Sequence, residues 1–200
     1  MYAWRKWNLE MREQVLAHRQ LHRRPWHGPP HFEGQQTDQY LITGACYEHA
    51  CILGYSQQRL DDFVALLHEA FLDQQSAIHA WCLLPNHYHV LATVVDLREL
   101  MSRLGRLHGR TSRGWNLEVH KLGRQCWHRA TDRAMRSESH VWATVNYIHH
   151  NPVKHGYATQ WSEWPWSSAH DYLQAVGREE AQRLWRSYPL GEYGKGWDEI

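Results

Sequence analysis

His87-Tyr88-His89 is the first place in the chain where residue type and spacing allow chemistry. In an extended strand, residues two apart point to the same face, so both imidazoles can converge on one ion. The pair is half of a metal site at most, and among 17 histidines two exposed strand histidines are the plain alternative. Local sequence disfavours three other His-x-His chemistries. A metallo-β-lactamase-like site wants Asp and His just after the pair, where Val90 and Leu91 stand. A cupin wants a Glu ligand a few residues on, where Thr93, Val94 and Val95 stand, and an amidohydrolase barrel needs roughly 250 residues.

Tyr147 is the second such residue. It falls on a predicted helix, and Asn151, four residues on, shares its face if the helix persists that far. A phenol and an amide oxygen can then approach the histidine pair. Free phenol has a pKa of about 10, so a nucleophilic Tyr needs a metal or cation nearby. His149, His150 and Lys154 are the local candidates. Packing is the ordinary role of a helical Tyr.

The elements that must position these residues are legible from hydrophobic periodicity. Tyr40 to Tyr47 and Ala50 to Gly54 have strand composition and suggest a hairpin turning at Glu48-His49. Leu60, Phe63, Val64, Leu67 and Phe71 make one helical face, with Asp61 and Asp62 expected in the first turn. Ala77 to Leu84 and His87 to Val95 read as strands joined by Pro85-Asn86. A helix from Leu97 to about Arg113 carries Leu97, Leu100, Met101, Leu104 and Leu107 on one face and Arg103, Arg106, Arg110 and Arg113 on the other.

Gln125 to Arg133 suggests another strand, and Ser137 to His150 a helix capped by Ser137 and ended by Asn151-Pro152. The order ββαββαβα, without a parallel βαβαβα alternation, predicts an α+β fold of antiparallel hairpins with packed helices. Before it, residues 1–38 are Pro-rich with a short helix over Leu9 to Leu21, an N-terminal arm. Residues 157–200 form a Trp-rich tail in which Trp161, Trp164 and Trp166 either pack on the domain or stack on unpaired bases.

Composition sets the bounds. A chain of 200 residues with 42% hydrophobic content supports one core. It holds no membrane-length apolar run and no signal-peptide block, which reads as cytoplasmic without a membrane partner. Cys46, Cys51, Cys82 and Cys126 form no Cys-x-x-Cys pair and read as reduced structural thiols. A net charge of +1 argues against bulk coating of nucleic acid, yet Met101 to Arg136 holds nine Lys and Arg against Glu118 and Asp132. Its arginine stripe either tracks a DNA backbone or is a solvated helix face.

Three segments in order carry a resemblance: Leu84-Pro85-Asn86-His87-Tyr88-His89-Val90-Leu91, then Tyr147-Ile148-His149-His150-Asn151-Pro152-Val153-Lys154-His155-Gly156, then Trp164-Pro165-Trp166-Ser167-Ser168. Together, over roughly residues 40–172, the chain resembles the HUH single-tyrosine transposases, and within them the REP-associated tyrosine transposases. The resemblance implies a ferredoxin-like antiparallel sheet with packed helices and a catalytic domain over residues 39–156. It implies His87 and His89 as ligands of Mg²⁺ or Mn²⁺, Asn151 as a third polar ligand, and Tyr147 as nucleophile.

Two histidines by themselves suit zinc as well. The implied reaction cleaves single-stranded, hairpin-forming DNA of REP type to a 5′-phosphotyrosyl enzyme and a free 3′-OH, then rejoins strands. Arg103, Arg106, Arg110, Arg113 and Lys154 are the expected DNA contacts, in a monomer or homodimer. The rivals are a DNA-binding protein of this fold without turnover, a replication-initiator or relaxase-type nuclease, and a metal-dependent hydrolase of small phosphate compounds.

Overall fold

The computed structural model describes residue 10 and residues 38–72, 76–191 and 193–194; the predicted arm, apart from residues 10 and 38, lies outside them. Four strands, β1 (Gln39–Ala45), β2 (Ala77–Leu84), β3 (His87–Thr93) and β4 (Thr131–Ala134), form one sheet in the order β2-β3-β1-β4. Every neighbouring pair is antiparallel. Helices α1 (Gln57–Leu72) and α2 (Leu97–Glu118) complete a β-α-β-β-α-β unit, the ferredoxin-like arrangement. Three more follow: α3 (Glu138–Lys154), α4 (Ala169–Val176) and α5 (Arg178–Ser187).

The sheet is covered on both faces, and strand alternation decides what faces where. Ile42, Leu83, Tyr88, Val90 and Ala92 pack with Leu60, Phe63, Leu67 and Phe71 of α1 and Leu100, Leu104 and Leu107 of α2. Leu41, Cys82, Leu84 and Leu91 pack with Val145, Tyr147 and Ile148 of α3. Each fully buried Leu or Phe contributes about 1.5–3 kcal/mol. Burial on both sides is why β3 carries so little surface polarity. His87 and His89, four and two positions before Leu91, lie on the α3 face.

Several expectations are corrected. The hairpin of Tyr40–Tyr47 with Ala50–Gly54 does not form: β1 is flanked by β3 and β4, so no edge is left for a local partner. A 3₁₀ turn at Tyr47–His49 follows β1 and the second segment runs into another at Leu53–Tyr55, with Leu53 buried and a would-be Cβ on Gly54 only 2.4 Å from Pro85 Cβ. Helix α1 starts at Gln57, with Ser56 Oγ accepting from the Arg59 amide at 3.2 Å, which puts Asp61 and Asp62 in its second turn. The strand expected over Gln125 to Arg133 is reduced to β4 and a single bridge, Cys46 to Trp127.

The helix expected to stop at Asn151-Pro152 runs on to Lys154. Proline there removes one donor near the end of the helix, while packing buries Asn151 and Pro152. The stop comes where the His155 amide reaches Asn151 O at 3.1 Å and the Tyr157 amide reaches Pro152 O at 2.8 Å, with Gly156 left-handed at φ 73°. The Trp-rich segment lies along β2: Leu83 donates to Trp166 O at 2.8 Å and Ser168 to Trp81 O at 3.0 Å. Trp164 Nε1 donates to Leu83 O and Trp166 Nε1 to Asp61 Oδ1, each at 2.8 Å, so these indoles serve packing. Among the described residues, no helix is long and apolar enough to cross a membrane. Cys46, Cys82 and Cys126 are buried free thiols and Cys51 is exposed.

Candidate active site

The two-residue turn at Pro85-Asn86 starts β3 directly at His87, and the strand's alternation brings His89 to the same face. Their rings stand edge to face with centroids 5.0 Å apart. Both are 1% exposed. His89 is held by Thr43 of β1, its register partner, with Nδ1 2.9 Å from Thr43 Oγ1. Its Nε2 faces the Tyr147 hydroxyl at 3.4 Å.

Asn86 fixes His87. Its Nδ2 donates to the His49 carbonyl at 3.1 Å, so its Oδ1 is the atom 2.8 Å from His87 Nδ1. That oxygen can only accept, so Nδ1 carries a proton, and in the neutral imidazole Nε2 holds the lone pair. Nε2 lies 3.0 Å from Asn151 Oδ1, while Asn151 Nδ2 is buried with no partner among the described residues. In that neutral form two lone pairs face each other. A rotated amide relieves this, as does a cation between them.

Helix α3 supplies Tyr147 and Asn151 from one face, four residues apart, so the i, i+4 expectation holds. Tyr147 is 1% exposed. Its ring contacts His89 at 5.1 Å and Tyr193 at 5.7 Å. Lys154 Nζ stands 5.3 Å from the ring centre and donates to Gly194 O at 3.2 Å. Gly194 is left-handed at φ 75°, and a Cβ there would fall 2.2 Å from Tyr147 Cε2.

His149 and His150 do not serve Tyr147. His149 points to the Trp-rich segment, with Nε2 2.9 Å from Ser168 Oγ and its ring stacked on Trp161. Burial holds its pKa down to about 3, so it is a neutral imidazole. His150 packs on Trp185, and burial lowers its pKa too. Of the three local candidates, Lys154 is the one that stands against the Tyr147 ring. Sequence reasoning missed Arg133, which sits opposite Leu41 on the same sheet face and is coupled electrostatically to Tyr193 and Tyr147. It also missed the roles of Thr43, Asn86 and His49, for which only adjacency to the motif at Asn86 offered a signal.

The arginine stripe is not brought to this site. Helix α2 covers the other face of the sheet. The stripe is also less purely basic than expected, since Glu99 pairs with Arg106 at 2.8 Å and Arg103 at 3.4 Å. Arg103, Arg106 and Arg110 line a groove of about 310 Å³ between α1 and α2, with Leu66, Glu69 and Leu107. Among the described residues, no three His, Cys, Asp or Glu gather to hold a metal. The Asn151 amide oxygen, 3.0 Å from His87 Nε2, is a third donor beside the two histidines.

No protein-family model matches the chain. It is 31% identical over 100 residues to a REP-associated tyrosine transposase of Escherichia coli (strain K12), covering 49% of this chain and 57% of the relative. A Haemophilus influenzae protein assigned to the same group is 28% identical over 106 residues, 48% of this chain and 60% of that one. Each match spans less than two-thirds of the relative. A solved structure of a REP-associated tyrosine transposase bound to a REP hairpin superposes with a TM-score of 0.51 at 23% identity, covering 68% of this chain and 79% of that chain. The fold is the same, and all these similarities are to REP-associated tyrosine transposases.

Proposed function

We propose that this chain is a REP-associated tyrosine transposase, cleaving and rejoining hairpin-forming single-stranded DNA through Tyr147. The observation that carries the reading is the meeting of two elements far apart in sequence. His87 and His89 of β3 stand within 3.4 Å of the Asn151 amide oxygen and the Tyr147 hydroxyl of α3. A phenol beside two imidazoles and an amide oxygen is a donor set for phosphoryl chemistry.

His87, His89 and Asn151 fit a divalent ion, magnesium or manganese. His87 Nε2 and Asn151 Oδ1, 3.0 Å apart, would hold such an ion together with His89. When bound, such an ion supplies Lewis-acid polarisation of the scissile phosphate. The chain's own residues do the rest. Asn86 and Thr43 orient the imidazoles, and Lys154 and Arg133 bring positive charge to the neighbourhood of Tyr147.

Tyr147 Oη attacks phosphorus, the bond to O3′ breaks, and the strand is left as a 5′-phosphotyrosine and a free 3′-OH. Attack by a DNA 3′-OH on that linkage reverses the step and rejoins strands without external energy. Tyr193 and Gly194 lie against the Tyr147 ring and would have to give way to a phosphate that approaches from their side. Arg103, Arg106, Arg110, Arg113 and Lys154 are the proposed backbone contacts, with the stripe engaging DNA that wraps past the edge of the sheet.

The test is incubation with labelled single-stranded hairpin DNA and Mg²⁺ or Mn²⁺, followed by denaturing electrophoresis. A metal-dependent covalent adduct, absent from Tyr147→Phe, is expected. Tight binding without adduct, across several hairpins and both metals, would replace this reading with a binding protein of the same fold.

A further inference from the structure

Just beyond β1 the chain does something uphill. Glu48 and His49 both take left-handed backbone, at φ 54° and 49°, which L side chains avoid unless the surroundings impose it. The turn is clamped from outside itself. The Glu48 amide donates to His128 Nε2 at 3.1 Å, the Tyr47 amide to Cys126 O at 2.8 Å, the Cys46 amide to Asn86 O at 2.7 Å, and Asn86 Nδ2 to the His49 carbonyl at 3.1 Å. The result is that the His49 imidazole stands edge-on to His87, with ring centroids 6.3 Å apart at 75°.

This gives the site a direction. Tyr147 contacts the histidine pair at His89, whereas His49 contacts it at His87, as does His155 just past the end of α3, at 5.1 Å. In displacement at phosphorus, the entering and leaving oxygens lie roughly in line on opposite sides. With Tyr147 entering beside His89, the leaving O3′ falls on the His87 side, where His49 is held.

We propose that His49 is a catalytic residue of the strand cleavage, its imidazole N–H donating a hydrogen bond to the departing O3′ at the end of the site opposite Tyr147. The inference rests on the reading of Tyr147 as nucleophile. In the step, the Tyr147 Oη–P bond forms and the P–O3′ bond breaks with its electron pair kept by O3′. One proton passes, net, from the phenol through solvent to O3′. His49 stabilises the charge that develops on O3′ as the bond breaks, which is why a strained backbone is maintained to present it.

The experiment compares wild type, His49→Ala and His49→Gln on two labelled hairpins, one with an ordinary scissile phosphate and one with sulfur replacing the bridging O3′. Single-turnover adduct formation is measured, with thermal melting as a check on folding. Removal of one donor from a developing oxyanion costs about 10²-fold, so His49→Ala should slow adduct formation on the oxygen substrate by that order. The deficit should largely vanish on the sulfur substrate, because a thiolate leaves without such help, and His49→Gln, which retains an N–H donor, should recover part of the rate. Equal slowing on both substrates, or none on either, overturns the role of His49. An adduct missing from wild type itself overturns the Tyr147 reading and this one together.

Discussion

The side-chain oxygen of Asn86 lies 2.8 Å from Nδ1 of His87, and this contact sets which ring nitrogen faces the site. Its importance can be measured. Replacing a group that orients a ligating histidine typically costs 10–100-fold in metal affinity or activity. Asn86→Ala is therefore expected to raise the Mn²⁺ concentration needed for half-maximal adduct formation by about that factor. An unchanged metal requirement in the folded variant would count against His87 as a ligand.

Gly194 offers the opposite kind of test. A methyl group there would fall 2.2 Å from Tyr147 Cε2 and sits on a left-handed residue. Gly194→Ala is expected to push the segment at Tyr193 and Gly194 off the phenol and to raise the rate of adduct formation. Iodination of Tyr147, followed by peptide mapping, should increase in parallel. Unchanged iodination would mean that the Tyr147 ring gives way instead.

The arginine stripe is tested by salt. Each phosphate neutralised contributes a slope of about −0.7 to −0.9 in log K against log salt. Arg106→Ala with Arg110→Ala should reduce the slope for hairpin binding by between about 1 and 2. The smaller figure is favoured because Arg106 is already paired with Glu99 at 2.8 Å. No change in slope assigns the stripe to an ordinary solvated helix face.

Stability should fall on acidification through a residue away from the site. His108 is stacked on Trp127 at 4.2 Å, and its Nε2 lies 3.1 Å from the Tyr88 hydroxyl. Burial pushes its pKa down to about 4 from 6.5. The unfolded chain then binds the proton more readily, so the stabilisation is complete above pH 6.5, shrinks as pH falls, and is gone below about 4. The difference corresponds to about 3 kcal/mol. Urea unfolding between pH 4 and pH 7 should show a shallower pH dependence in His108→Phe, and an identical dependence would remove His108 from the account.

The phenol itself can be separated from its ring. Tyr147→Phe keeps the packing against Tyr193 and Leu41's neighbourhood and loses the long 3.4 Å contact to His89. Folding stability is expected to change by no more than about 1.5 kcal/mol, while adduct formation disappears. A large loss of stability, seen in thermal melts, would reassign Tyr147 to the core.

What the amino-acid sequence determined by itself are relationships set by backbone geometry over a few residues. The strand alternation of His87 and His89, the hairpin at Pro85-Asn86, the buried face of α1 and the shared helical face of Tyr147 and Asn151 were all legible, because strand and helix periods are local properties. Tertiary structure decided the rest. It packed α3 on the face of β3 that bears the histidines, joining residues 58 and 64 positions apart. It occupied both edges of β1, so Ala50–Gly54 had no partner and turned instead, and it buried Pro152 inside a helix that local rules would have ended. It also recruited Thr43, Asn86 and His49 and sent the arginines to the other face, since which surfaces meet depends on apolar burial summed over the whole chain rather than on any window of it.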